Sequence, residues 1–219
     1  MIGPARGRAA RLVVAVAVGL AGVACAGRPP PPDTFHRLVV PAPASRVATR
    51  LEGALEVDRP SAVDALRSRP LAVVDAGSGV LRHARYDLWV EGPPALVQDA
   101  LVDYLRAAGV AERVVTPELR DDPRWLVAGR IERFERMAGD GGGAAVRLEL
   151  SLRERGGGPP LVYGVYEATR GADGDSNAAA IGALGAAVGE AFEAFVADVD
   201  AAFAAPRPRP RSPGAAPRP

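Results

Sequence analysis

The chain has 219 residues and a formal net charge of +1, with 27 basic against 26 acidic side chains; so even a balance excludes a surface built for nucleic acid or for an acidic substrate. All the basic residues are arginine, which excludes a Schiff-base lysine, a Walker-type phosphate-binding lysine and a lysine general base. Two histidines and one cysteine cannot assemble an imidazole or thiolate cluster within one chain, so no metal and no cofactor is expected.

Met1 to Ala24 reads as an export signal. Arg6, Arg8 and Arg11 form its charged start, and the uncharged run Leu12 to Val23 is too short to span a bilayer. Gly22-Val23-Ala24-Cys25 follows, the pattern of a bacterial lipobox, with the only thiol of the chain at its end. Lipidation of Cys25 is preferred over an ordinary cleavable signal for that reason. Each buried methylene contributes about 0.8 kcal/mol, so two or more acyl chains, palmitate among them, make a lasting membrane anchor. Ala26, rather than aspartate, resembles an outer-membrane address, with the body facing the periplasm. Residues 25–33 carry four consecutive prolines, a semi-rigid polyproline spacer of about 3 Å per residue.

The folded part is expected over 34–205. Phe35 to Val40 reads as a first strand closed by Pro41-Ala-Pro43. Arg50 to Asp58 alternates, and Leu71 to Asp75 turns at Gly77-Ser-Gly79 into Val80 to Val90, where Tyr86, Leu88 and Val90 share one side. Pro93 and Pro94 open a helix whose apolar residues (Leu96, Val97, Ala100, Leu101, Tyr104, Leu105, Ala108) each have another three or four residues away. Gly109 stands where a left-handed terminator is wanted. Arg113 to Thr116 and Trp125 to Arg136 are the next strands, the latter with a phase slip before Phe134. Ala144 to Arg153 alternates cleanly, and Leu161 to Thr169 follows. Ser176 to Ala204 is a long helix with one apolar stripe from Ile181 to Phe203. Gly182, Gly185 and Gly189 lie in its first half, where each costs about 1 kcal/mol relative to alanine and permits close approach of a neighbour, either its own sheet or another subunit. Residues 206–219 form a Pro/Arg-rich tail without an apolar face. The alternating strands imply an α/β (α+β) fold of two layers, a mostly antiparallel sheet with two amphipathic helices on one face.

The candidate chemistry is sparse. Gly174-Asp175-Ser176-Asn177 resembles the nucleophile block of Gly-Asp-Ser esterases, but no histidine follows it, so His36 or His83 would have to serve out of order. A helix cap is the preferred role for Asp175 or Ser176. The glycine runs 139–143 and 156–158 join strand to strand and are hairpin loops rather than phosphate cradles. Asp121, Asp122, Glu132 and Glu135 read as solvated carboxylates. Tyr86, Trp89 and Trp125 are the candidate partner-interface residues, as aromatic anchors.

The order of these features resembles the ABC-type transport auxiliary lipoproteins, the family that includes the paraquat-inducible C-type lipoproteins. The likeness lies in Cys25, Phe35-His-Arg-Leu-Val-Val-Pro41, Leu55-Glu-Val-Asp-Arg-Pro60, the Tyr86 to Trp89 strand with Pro93 and Pro94, Val127-Ala-Gly-Arg-Ile-Glu-Arg-Phe-Glu135 and the alanine-rich closing helix. It covers about Phe35 to Phe203. It implies a non-enzymatic periplasmic lipoprotein on the outer membrane, serving an envelope-spanning lipid transporter. Its partners would be an MCE-type protein, an ABC permease and ATPase, and membrane lipid, with homo-oligomerisation left open. The alternatives are a lipid- or lipopolysaccharide-binding assembly lipoprotein and an esterase acting through Ser176.

Overall fold

The computed structural model describes residues 29–139 and 142–204. The expectations for the export signal, Cys25 and the tail at 206–219 therefore lie outside the described residues. Residues 29–32 are irregular and exposed. The body begins at residue 33.

Its elements are β1 (Thr34–His36), β2 (Leu51–Val57), β3 (Ser61–Ala62), β4 (Pro70–Asp75), β5 (Leu81–Trp89), α1 (Pro93–Ala108), β6 (Ala111–Val115), β7 (Trp125–Ala138), β8 (Gly143–Glu154), β9 (Val162–Gly171) and α2 (Asn177–Ala204). Strand β7, with 14 residues, is the axis of the sheet. One of its edges carries the antiparallel pair β8 and β9. Along the other edge run β2, β3 and β4 in succession, all parallel to it. They are one stretch of chain, interrupted at Pro60 and by a short 3₁₀ turn at Asp64–Leu66. Strand β6 extends the sheet beside β2, and β5 then β1 extend it beside β4.

The sheet is thus mixed rather than mostly antiparallel: among the described strands, β1·β5, β2·β6, β2·β7, β3·β7 and β4·β7 are parallel. Period-two alternation says that one face of a strand is wet, and short parallel segments laid along one long strand alternate just as antiparallel ones do. A two-layer sandwich is not confirmed either: residues 37–50 run across the helices as a strap.

Local chemistry explains the elements. Pro93 and Pro94 sit at the start of α1, where no backbone donor is lost, and Gly109 ends it at φ 71°. Asp75 closes the β4–β5 turn by accepting the Ser78 amide at 2.8 Å and its hydroxyl at 2.7 Å, bonds that hold the carboxyl below its ordinary range. The phase slip in β7 is a β-bulge: Ile131 faces Leu148, whereas Arg133 faces Arg147. The extra residue turns Phe134 into the core after Trp125, Val127 and Ile131. From β8, Val146, Leu148, Leu150 and Leu152 point the same way. Helix α2 covers this face with Leu184, Val188, Phe192, Phe195 and Val199. It is long and apolar enough to cross a bilayer, but 61% of its most apolar stretch is buried inside the fold.

Tyr166 of β9 stacks edge-on against Phe195 at 5.6 Å and donates its hydroxyl to Asp198 at 2.8 Å. Burial first, and then this bond, push its pKa upward. A raised value in the folded state means that the contribution is present below the unfolded value of about 10 and is lost as pH rises through the folded one. In an alkaline titration of tyrosinate absorbance, the last phenol to ionise should be missing from Tyr166→Phe; a variant that keeps this most resistant step would remove this account.

Candidate functional site

The sequence predicts aromatic anchors at a surface, and the structure puts two of them inside. Trp89 and Trp125 are 1% and 2% exposed. Trp89 points away from the Tyr86 and Leu88 side of β5 and packs on Phe134 at 5.4 Å. Its indole N–H meets no acceptor among the described residues. Trp125 donates to the Glu52 carbonyl at 2.9 Å and meets Phe203 edge-on at 5.1 Å. Both are strand-end aromatics, as expected, but they close the core rather than present a ring to a partner. Tyr86 stays half-buried on β5, with the Arg85 guanidinium 5.3 Å from its ring centre.

The strap is the feature that sequence reasoning misses. Of the expected first strand, Phe35 to Val40, only Phe35 and His36 pair, within a strand Thr34–His36 parallel to Asp87–Trp89. Beyond it the chain lies on the helices. Leu38 and Val40 pack against the core, and the Val39 carbonyl rests on Gly185, where any Cβ would collide with it. Pro41 lies against Gly189, 3.2 Å from where a Cβ would stand. The close neighbour permitted by those glycines is therefore neither sheet nor subunit but this chain's own residues 39–41. The small residues at 185 and 189 are the one signal of it in the sequence. The far end of the strap is tied down as well: Asp200 accepts the amides of Ala48 and Thr49 at 3.3 and 2.9 Å, and Val47 donates to the Ala108 carbonyl at 3.0 Å.

Between strap and α1 lies a groove of about 370 Å³, formed by Leu38, Val40, Pro41, Ala100, Tyr104 and Ala107 among others. Tyr104 borders it, packs edge-on to Phe192 at 5.5 Å, and has its pKa raised by burial and then by Glu193.

A chain of polar side chains joins β1 to the start of α2. His36 Nε2 lies 2.8 Å from Asp87 Oδ1; Asn177 donates to Asp87 Oδ2 at 2.6 Å; Arg136 donates to Asn177 Oδ1 and, at 2.9 Å, to the Asp175 carbonyl. His36 is thereby engaged structurally, and His83 is bonded to the Ala65 carbonyl at 2.7 Å. Ser176 Oγ accepts the Ala179 amide at 3.1 Å, which is the cap geometry. Ser176→Ala should lower stability by about 1 kcal/mol in a denaturant melt; a loss of any esterase activity without loss of stability would reverse that assignment.

The carboxylates also have structural partners. Asp121 is held below its ordinary pKa by Arg113, 3.0 Å away. Asp122 faces Arg155 at 3.5 Å, and Glu132 and Glu167 both meet Arg147 at 2.6 Å. Glu135, 6% exposed rather than solvated, pairs with Arg133 at 2.8 Å. Among the described residues no group of three or more His, Cys, Asp or Glu is placed to hold a metal.

A family model described as ABC-type transport auxiliary lipoprotein component matches residues 36–195. No curated protein matches the chain. A crystal structure from Xanthomonas campestris, of the DUF330 family, is similar over 78% of this chain and 97% of its own, with a TM-score of 0.68 and 17% identity. A second structure, of an uncharacterized protein, is similar over 79% of this chain and 99% of its own, with a TM-score of 0.58 and 13% identity. At these identities the likeness carries the fold alone.

Proposed function

The chain belongs to the ABC-type transport auxiliary lipoprotein family, and from that premise we propose that it is the docking component of an MCE-type lipid transport system, anchored by Cys25 on the periplasmic side of the outer membrane. Family membership makes it a lipoprotein of a transport-associated system, and so part of the cell envelope. The single observation that supports the finer assignment is the family match over 36–195, which takes in the strap, α1 and α2 as far as residue 195. In this role the protein performs no reaction and needs no cofactor beyond the lipid on Cys25. The ATPase, the permease and the MCE-type protein are separate chains. Of Tyr86, Trp89 and Trp125, only Tyr86, half-buried and flanked by Arg85, keeps a face toward solvent.

The chain has no lysine, so amine-directed cross-linkers find no side chain on it. A photo-activated residue at position 86, irradiated in intact envelopes, should capture an MCE-type or channel protein. Recovery of this chain and lipid alone, where a known envelope complex is captured in parallel, would count decisively against the docking role.

One observation favours a second role, carriage of lipid by the protein itself: the groove beside the strap is within the low range of ligand sites, which begins near about 300 Å³. Native mass spectrometry should then show co-purified lipid lost on Ala100→Trp, which would fill the groove. A lipid-free protein removes this alternative.

A further inference from the structure

Residues 35 to 40 alternate between two environments. His36, Leu38 and Val40 turn inward, His36 to Asp87 and the other two to the core. Phe35, Arg37 and Val39 turn outward, with Phe35 53% and Val39 75% exposed. An extended chain forces this split, since successive side chains leave on opposite sides. The outward row is apolar, cationic, apolar. A second guanidinium joins it: Arg69 lies 5.0 Å from the centre of the Phe35 ring while its Nε donates to the Trp89 carbonyl at 2.9 Å. The row is held rigidly, because Val39 has its carbonyl on Gly185 and cannot turn inward without lifting the strap.

We propose that this face, Phe35, Arg37 and Val39 with Arg69, seats on the interfacial layer of an anionic bilayer, the one that holds the lipid anchor. The inference rests on the lipidation of Cys25. Eight residues stand between Cys25 and Thr34; even fully extended they reach only about 30 Å. The outward row is thus the first part of the body that the membrane can meet. Tethering raises its effective concentration at the surface to the millimolar range, so a contact too weak to bind free protein suffices. Aromatic and aliphatic side chains seat at the headgroup boundary, and arginines meet the phosphates. The consequence is a fixed orientation: the strap side faces the lipid, and the β7–β9 sheet face is presented to whatever approaches from the periplasm.

The test uses the full lipidated chain in vesicles of phosphatidylethanolamine and phosphatidylglycerol. An environment-sensitive fluorophore is placed at Val39→Cys and, as a control, at Tyr163→Cys, which is also exposed but lies on β9. Flotation with the vesicles reports the anchor independently. The expected result is a blue shift at 39, and quenching by brominated lipid severalfold stronger at 39 than at 163, weakened by Arg37→Glu. Protein that floats with equal, solvent-like signals at both positions overturns the seating while leaving the anchor intact. Protein that fails to float overturns the anchor and the seating together. A blue shift at 39 that grows with protein concentration in the absence of vesicles assigns the face to a second copy and likewise overturns the proposal.

Discussion

Gly185→Val should lower the stability of the body by about 1–3 kcal/mol, the range for overpacking, whereas Gly182→Ala should raise it by up to about 1 kcal/mol. The two positions lie within one turn of the same helix and have the same intrinsic preference, so the difference between them is tertiary. A Cβ at 185 falls on the backbone carbonyl of Val39, and one at 182 meets nothing within 4 Å. At 182 the substitution acts through helix propensity alone. At 185 the helix gains little and the strap must lift, taking Leu38 and Val40 from the core with it. For a body of this size each kcal/mol moves the melting temperature by about 2–4 °C. Thermal melts followed by circular dichroism should therefore separate the variants on opposite sides of the native chain. Coincident melts would mean that the strap does not lie on α2.

The second large effect concerns attachment. Cys25→Ser should move the protein from the membrane pellet to the soluble periplasmic fraction. A protein held by several acyl chains stays bound, and one stripped of them keeps at most the weak contact of an exposed row of side chains. Metabolic labelling with an alkynyl fatty acid should mark the native chain and not the variant. A variant that stays in the pellet, or a native chain that takes up no label, would refute the anchor. The body itself should be unaffected, since its core is assembled from residue 34 onward; its melt is the control.

How far the sequence discloses this structure depends on how local each feature is. Helix α1 is fully legible, because proline at one end, Gly109 at the other and the stripe between them are all near neighbours in the chain. Strand β8 is legible for the same reason, and the slip before Phe134 announces the bulge that the pairing of Ile131 and Arg133 reveals. The partner of each strand is not legible: alternation reports a wet face and is silent on direction, so nothing in β2, β3 and β4 themselves marks them as parallel to β7. Phe35 to Val40 has the composition of a strand and alternates between inward and outward side chains, yet only its first two residues belong to a ladder, and the rest finds its place on a helix about 150 positions later. At the candidate site, residue type and position single out Trp89 and Trp125 but do not give their direction. A ring at the end of a strand can close a core or leave it, and burial settles which.

The arrangement of β7 bears on how the protein is made. Leu55 is seated against Trp125 and Val74 against Met137, so β2, β3 and β4 can be joined into one sheet only when β7 has been delivered, although the β4–β5 hairpin can close before then. Pairings this distant in sequence form slowly. A chain threaded through an export channel from its amino end must stay unfolded until it is across, and this topology withholds the central partner for more than half of the chain's passage. Completion of the sheet on the wrong side of the membrane is thereby discouraged by strand order itself.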